Sequence, residues 1–154
     1  DRQAGIAALT SHNLGGYPRD GWTGRMLPIQ EYAHILMRSK IALNFCTVGD
    51  DPSKQIKGRV YEATACGAML LEAEGDETSR WFEPMVDYVP FSDELDLVEK
   101  ARYYLEHDEE RMEIAARGHR KAKEQYNGEM FWNTIFNKVR DTSDWRFTPG
   151  NYPW

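Results

Sequence analysis

A chain of 154 residues with 41% hydrophobic content has room for one domain with its own core. Its 25 acidic and 19 basic residues give a formal net charge of -6, which repels a polyanion, argues against a broad nucleic-acid face and confines any anion site to a local patch. The two cysteines, Cys46 and Cys66, lack metal-type spacing and are expected to be buried, reduced thiols, and no apolar run reaches the roughly 18 residues of a bilayer span.

Short apolar runs alternate with amphipathic stretches, the pattern of βα units around a parallel sheet covered on both faces. Residues 5–9 read as a first strand and the glycine-rich residues 11–24 as a loop. His12 and Asn13 would then sit at the carboxyl edge of the sheet, where open α/β folds bind ligands, although a plain loop role competes. A short strand around Met26 and Leu27 leads through Pro28 into a helix over residues 30–38, with Tyr32, Ile35 and Leu36 on one face. Residues 40–46 are apolar almost throughout and read as a central strand buried on both faces, in which Asn44 needs a polar partner. A loop over residues 47–53 enters the next helix, with Asp51 as cap before Pro52 and Ser53 as the rival cap. In that helix Ile56, Val60 and Ala63 share a face and Gly67 is placed to stop it, after which residues 68–71 form a strand.

The loop over residues 72–76 is acidic at Glu74, Asp76 and Glu77 just beyond it, and leads to a short helix through Trp81 and Phe82 that ends near Pro84. Trp81 and Phe82 read as core, and a strand follows over residues 86–89. The remainder is helical, with apolar stripes Leu95–Val98–Ala101–Leu105, Met112–Ala115–His119–Ala122–Tyr126 and Phe131–Ile135–Val139. Three of the histidines, His34, His107 and His119, sit on or beside these helices and read as structural or surface residues. Residues 1–140 therefore form one Rossmann-like domain, and residues 141–154, rich in aromatics and proline, an aromatic tail that must lie against something. Because an apolar strand begins so near Asp1, the chain is expected to be a piece of a longer protein.

The charge around residues 54–59 is unusual. A helix N-terminus carries roughly half a positive charge, so each first-turn cation there costs about 0.3 to 1 kcal/mol unless an anion sits nearby. Lys54, Lys57 and Arg59 crowd that end in an acidic chain. A bound phosphate, met by free backbone N–H groups, the helix dipole and these side chains together, offsets the cost. The bland alternative is a surface ion pair between Arg59 and Glu62, worth about 0.2 to 0.5 kcal/mol, beside solvated lysines.

Lys57-Gly58-Arg59-Val60-Tyr61-Glu62-Ala63-Thr64-Ala65-Cys66-Gly67 resembles the signature of glycosyl transferases group 1, in their C-terminal nucleotide-sugar-binding half, and is most similar to the spore-maturation-protein-like branch. Lys40 to Asn44, the run Tyr103-Tyr104-Leu105 and the run from Ile114 to Arg120 add to the likeness, which spans roughly residues 25 to 138. The resemblance implies a GT-B glycosyltransferase, in which two Rossmann-like domains face each other across a cleft and the C-terminal one holds a nucleoside-diphosphate sugar. It implies that Glu62 accepts hydrogen bonds from the donor ribose, that Arg59 and Lys57 lie near the diphosphate, and that the loop containing Thr47 and Ser53 supplies backbone N–H groups to the same phosphates. Leu27 and Ile29, flanking Pro28, fall where relatives hold the base. It further implies no cofactor beyond the sugar donor, no bound metal, an acceptor held largely by a separate N-terminal domain, and a cytoplasmic chain, free or peripheral to a membrane. No catalytic residue is assigned.

One departure stands out. Relatives carry a second glutamate eight positions before the ribose-binding one, and here that position is Lys54. A non-catalytic Rossmann-like nucleotide-binding or scaffolding module is therefore the alternative. A receiver-like domain explains less, because the apolar segment ends Phe45-Cys46-Thr47 with no phosphorylatable aspartate.

Overall fold

The computed structural model describes residues 2–14, 16, 27–48 and 51–141, excepting the side chains of 47, 48, 51–54, 76 and 141. Its centre is the run Met69, Leu70 and Leu71, which solvent does not reach at all. This run lies in β4 (Met69–Ala73), the middle strand of a parallel sheet in the order β1-β4-β5, between β1 (Ile41–Asn44) and β5 (Val89–Phe91). Ile41 pairs with Met69, Asn44 with Glu72, and Leu71 with Val89.

Successive side chains of a strand point to opposite faces, and β4 accordingly feeds two cores. Met69 and Leu71 join Leu9, Val89, Phe91, Leu97, Val98 and Tyr104 on one face. Leu70 joins Leu36, Ala42, Val60, Ala63 and Phe82 on the other. Helices α1 (Arg2–Ser11) and α5 (Glu94–Glu106) cover the first face, and α2 (Ile29–Arg38) and α3 (Gly58–Ala65) the second. Helix α6 (Asp108–Gln125) serves both, with Ile114 in the first core and Ala122 in the second.

Helix α3 joins two parallel neighbours, so it runs back against the strands and opens its N-terminus at their carboxyl ends. Its far end is fixed by Gly67 at φ 80, with Ala68 N–H donating to the Ala63 carbonyl and Gly67 N–H to the Thr64 carbonyl, both at 3.1 Å. This paired arrangement satisfies two orphan carbonyls and delivers the chain at once into β4.

Several expectations hold. The helix before β1, the strands on either side of α3, the Gly67 stop and the long helices α5 and α6 all form, and the fold is a Rossmann-like α/β sheet flanked by helices.

Others are corrected. Residues 5–9 are helical, not a strand: their alanines favour helix, and Gly5 and Leu9, one turn apart, are the buried pair. Gly5 lets the helix approach the Phe45 ring, which lies 2.8 Å from where a Cβ would be. His12 and Asn13 therefore end a helix instead of following a strand; His12 Nδ1 lies 2.9 Å from the Ala8 carbonyl, and Asn13 takes φ 57. The strand β1 lies at the side of the described sheet, and β4 holds the central place. The expected loop at 47–53 forms an antiparallel pair, β2 (Thr47–Val48) with β3 (Asp51–Lys54). Asp51 and Pro52 thus belong to a strand and not to a helix cap. A two-stranded sheet is all edge, so a proline with no N–H is tolerated there, and Lys57 takes the cap position.

The short helix α4 (Asp76–Ser79) ends before Trp81, which is 45% exposed, whereas Phe82 is fully buried; the strand expected at 86–89 is displaced to β5. On α5 the buried stripe is Leu97, Val98, Ala101 and Tyr104, with Leu95 outside; on α6 it is Arg111, Ile114, Gly118 and Ala122, with Met112 outside. The final helix, α7 (Gly128–Asp141), exposes Met130, Phe131, Trp132, Phe136 and Val139, so its expected inward stripe does not form. Cys46 is buried as expected and Cys66 only half-buried; neither is joined in a disulfide. The predicted strand residue Met26 and the tail beyond Asp141 lie outside the described residues, and Leu27 precedes α2 without strand structure.

Gly118 is where α6 meets the turn before β5: a Cβ there would lie 2.5 Å from the Asp87 carbonyl oxygen, a backbone atom that cannot swing aside. Gly118→Ala is therefore expected to destabilise by about 1 to 3 kcal/mol, although alanine normally gains about 1 kcal/mol over glycine mid-helix. A lower urea midpoint at unchanged m-value is the readout, and an unchanged or raised midpoint contradicts this close approach.

Candidate functional site

The first turn of α3 carries Lys57 at its cap position and Arg59 inside, with no acidic residue and no capping side chain. Its buried side, Val60, Ala63 and Thr64, fixes the helix against the second core. Glu62 lies one turn in, on the same helical row as Gly58, and helical side chains lean toward the N-terminus. Its Oε1 comes within 3.4 Å of the place where a Gly58 Cβ would be, so the carboxylate reaches back toward the helix mouth over a residue that leaves it space.

Glu62 remains about half exposed at 48%, and its Oε2 is held from two sides. The Tyr32 hydroxyl, from α2, donates to Oε2. Arg59 Nε lies 3.6 Å from the same oxygen, and the Arg59 guanidinium sits 5.1 Å from the centre of the Tyr32 ring. Arg59 Nε is buried without a full hydrogen bond. Burial, reinforced by the bond to Glu62, pushes the Tyr32 phenol up to about 12, so it stays a donor at neutral pH. Arg59 and Glu62 are thus an ion pair, as the bland reading has it, yet the pair is tied into a three-residue cluster that joins two helices.

A second polar feature lies at the carboxyl ends of the strands, on the α3 face. Asn44 Nδ2 donates to Glu72 Oε1 at 2.9 Å across the β1–β4 ladder, which supplies the partner Asn44 was expected to need. Glu72 is 1% exposed, and its Oε2 is buried without a hydrogen-bond partner. Burial raises its carboxyl above the ordinary glutamate range, while the Asn44 amide and the Thr78 hydroxyl pull it part of the way back. Glu72 also raises the neighbouring Tyr88, which burial above all pushes up to about 12.

Of the residues singled out from sequence, Arg59 and Glu62 come together in the first turns of α3, and Lys57 holds the cap position of the same helix. Thr47 and Ser53 belong to the β2–β3 pair between β1 and α3, tied at its base by Gln55 N–H to the Cys46 carbonyl at 3.0 Å. Leu27 is half-buried ahead of α2, and Ile29, 69% exposed, begins that helix on the element that carries Tyr32. Tyr32 and Glu72 were missed. Tyr32 was read only as part of an apolar face, and a tyrosine whose hydroxyl meets a carboxylate 30 residues away leaves no local signal. Glu72 was readable in principle, as a lone acid closing the apolar run of Met69 to Leu71 opposite a strand that contains Asn44.

Among the described residues no group of three or more His, Cys, Asp and Glu is placed to hold a metal, and no helix is long and apolar enough to cross a membrane. An open groove of about 470 Å³ lined by His12, Val98, Arg102 and Tyr103 lies between α1 and α5, on the face of the sheet opposite Glu62.

The site is thus a basic helix mouth without a side-chain cap, at the carboxyl edge of a Rossmann-like sheet. Residues 3–137 match the glycosyl transferase-like family, and the chain belongs to it as a glycosyltransferase domain of the group 1 type. No curated protein matches the chain significantly.

The raised Glu72 carboxyl has a definite consequence for stability. The folded state holds this proton more tightly than the unfolded chain, whose glutamates titrate near about 4.3. The stability linked to it is thus fully present below that pH and is lost as pH rises through the higher folded value. Glu72→Gln mimics the neutral acid and removes this loss, so urea unfolding is expected to show the variant gaining on wild type from pH 4 to 7. Parallel stability curves would show that Glu72 does not carry this linkage.

Proposed function

We propose that this chain is the donor-binding domain, spanning residues 1–140, of a two-domain GT-B glycosyltransferase, and that the α3 mouth grips a nucleoside-diphosphate sugar. The observation that carries this reading is the juxtaposition at one helix end: two cations in an uncapped, acid-free first turn, with a half-exposed carboxylate one turn further in. An isolated helix start of this kind is electrostatically unfavourable; a diphosphate relieves it. A carboxylate held open beside it suits the adjoining ribose, because it accepts hydroxyl hydrogen bonds and donates none.

In the transfer itself the bond between the anomeric carbon and the diphosphate oxygen breaks, and its electron pair leaves with the diphosphate. A hydroxyl of the acceptor, held largely by a second domain, forms the new bond, and its proton passes to the departing diphosphate or to solvent. Lys57 and Arg59 offset the charge that builds on the leaving group, Lys57 as a mobile point charge and Arg59 as a planar fork. Thr47 and Ser53, on the β2–β3 pair, line the phosphates with backbone N–H groups. Leu27 and Ile29 offer apolar surface to the base. Since side-chain cations do the neutralising, this reading calls for no metal and no cofactor besides the sugar donor. The reading places the chain in the cytoplasm, where a half-buried thiol such as that of Cys66 stays reduced, with or without peripheral contact to a membrane.

The second reading is a module that binds donor without turnover, and it rests on Lys54 standing where relatives carry an acid. Sugar transfer by the full-length protein excludes it.

The test is calorimetric titration of the full-length protein with uridine, guanosine and adenosine diphosphates. At least one is expected to bind, and Glu62→Ala to weaken it by about tenfold, the cost of lost hydrogen bonds to a charged group. If none binds, or if Glu62→Ala and Lys57→Ala both leave affinity unchanged, the α3 mouth is not the donor site.

A further inference from the structure

We infer that Tyr32 is a positioning residue for the donor site, holding the Glu62 carboxylate and the Arg59 guanidinium apart and in register so that one carboxylate oxygen stays free for the ribose. The inference rests on the donor-binding reading of the α3 mouth and adds to it a specificity device contributed by another helix.

A half-exposed glutamate has three rotatable side-chain bonds and gains little from staying still. An arginine three residues before it on a helix tends to close on it. A planar guanidinium meeting a carboxylate favours the two-bonded fork, which occupies both oxygens. Such a pair would leave Glu62 saturated and Arg59 turned from the helix mouth.

The geometry here differs from that fork, and Tyr32 accounts for the difference. The Arg59 guanidinium lies over the Tyr32 ring, 5.1 Å from its centre, and its closest approach to Glu62 is through Nε, at 3.6 Å. The Tyr32 hydroxyl meanwhile donates to Glu62 Oε2, the oxygen that Nε also faces. Both constraints fall on Oε2, whereas Oε1 is turned over Gly58, where a missing side chain leaves it room. One phenol thus holds the anion through its hydroxyl and the cation through its ring face. Tyr32 can do so because α2 packs against α3 through the second core, where Leu36 meets Val60 and Ala63 with Tyr32 beside them. Its phenol keeps its proton well above neutral pH, so the donor role does not lapse in the cell.

The arrangement predicts selectivity for ribose over deoxyribose, because the oxygen kept free is an acceptor for a sugar hydroxyl. The experiment measures affinities of the full-length protein for uridine, guanosine and adenosine diphosphates, each against its 2′-deoxy form, for wild type, Tyr32→Phe, Glu62→Gln and the double variant. Wild type is expected to prefer the ribose form by about tenfold, and Tyr32→Phe, which keeps the ring and its cation but loses the hydroxyl, to cut that preference to about threefold or less. The 2′-deoxy affinity should hardly move, and the double variant should be no worse than Glu62→Gln alone. A general packing defect would lower both affinities together and leave their ratio intact.

If Tyr32→Phe keeps the wild-type ratio while Glu62→Gln loses it, the positioning role is overturned and the donor reading stands. If Glu62→Gln also keeps the ratio, the donor reading fails and this inference with it. Should Tyr32→Phe not fold, Tyr32→Leu, which fills the space beside α3 without any donor, takes its place under the same criteria.

Discussion

The rest of the molecule is arranged around a three-residue run of β4 that water never touches. Met69, Leu70 and Leu71 are excluded from solvent on both sides of β4, and each such side chain is worth about 1.5 to 3 kcal/mol on burial. A strand covered on both faces requires a helical layer on each, and a parallel neighbour requires a crossover to reach it. Those two requirements leave α3 little freedom. It must return across one face between β1 and β4, stop abruptly at Gly67, and present its opening at the carboxyl ends of the strands.

Once the helix is fixed there, electrostatics decides what its opening can accept. An acidic chain concentrates Lys57 and Arg59 at the positive end of a dipole and supplies no acid to cap it. A compensating charge on the same helix, Glu62, is drawn partly aside by Tyr32 and Arg59. Beneath lies the opposite solution to the same problem: Glu72, too deeply buried to be hydrated, has its carboxyl raised above the ordinary range by burial and is held by the Asn44 amide. Two glutamates ten residues apart in sequence therefore meet contrasting environments, one half-exposed and reachable and the other pressed toward neutrality and sealed off.

Much of this was legible from residue order. The α3 segment, its basic start, the Gly67 stop and the apolar run after it are local signals, and local signals carry helix ends and buried strands well. The family likeness rested on the same residues. What failed was decided at a distance. Residues 5–9 form too short an apolar run to separate strand from helix by period, and packing of Leu9 into the first core settles it. Pro52 looked like a helix start and instead occupies an unpaired strand edge. On α5 the predicted and observed stripes share Val98 and Ala101, so the choice between Leu95 and Leu97 as the third member depended on which way the sheet faced. The Tyr32 contact is wholly tertiary. The geometry that distinguishes an idle surface ion pair from an organised cluster was invisible until α2 lay beside α3.

The sheet separates two kinds of demand. Against its α1 and α5 side lie leucine, valine and phenylalanine side chains that need only fill space, and volume-preserving exchanges among them are tolerated at small cost. Against its α2 and α3 side, apolar filling is threaded with Tyr32, Asn44, Thr64 and Glu72, whose partners are specified atom by atom. Descendants of a common ancestor built on this plan will accordingly drift at unequal speeds on the two sides: freely where bulk alone is conserved, and slowly, in coordinated pairs, where a change in one partner strands the other.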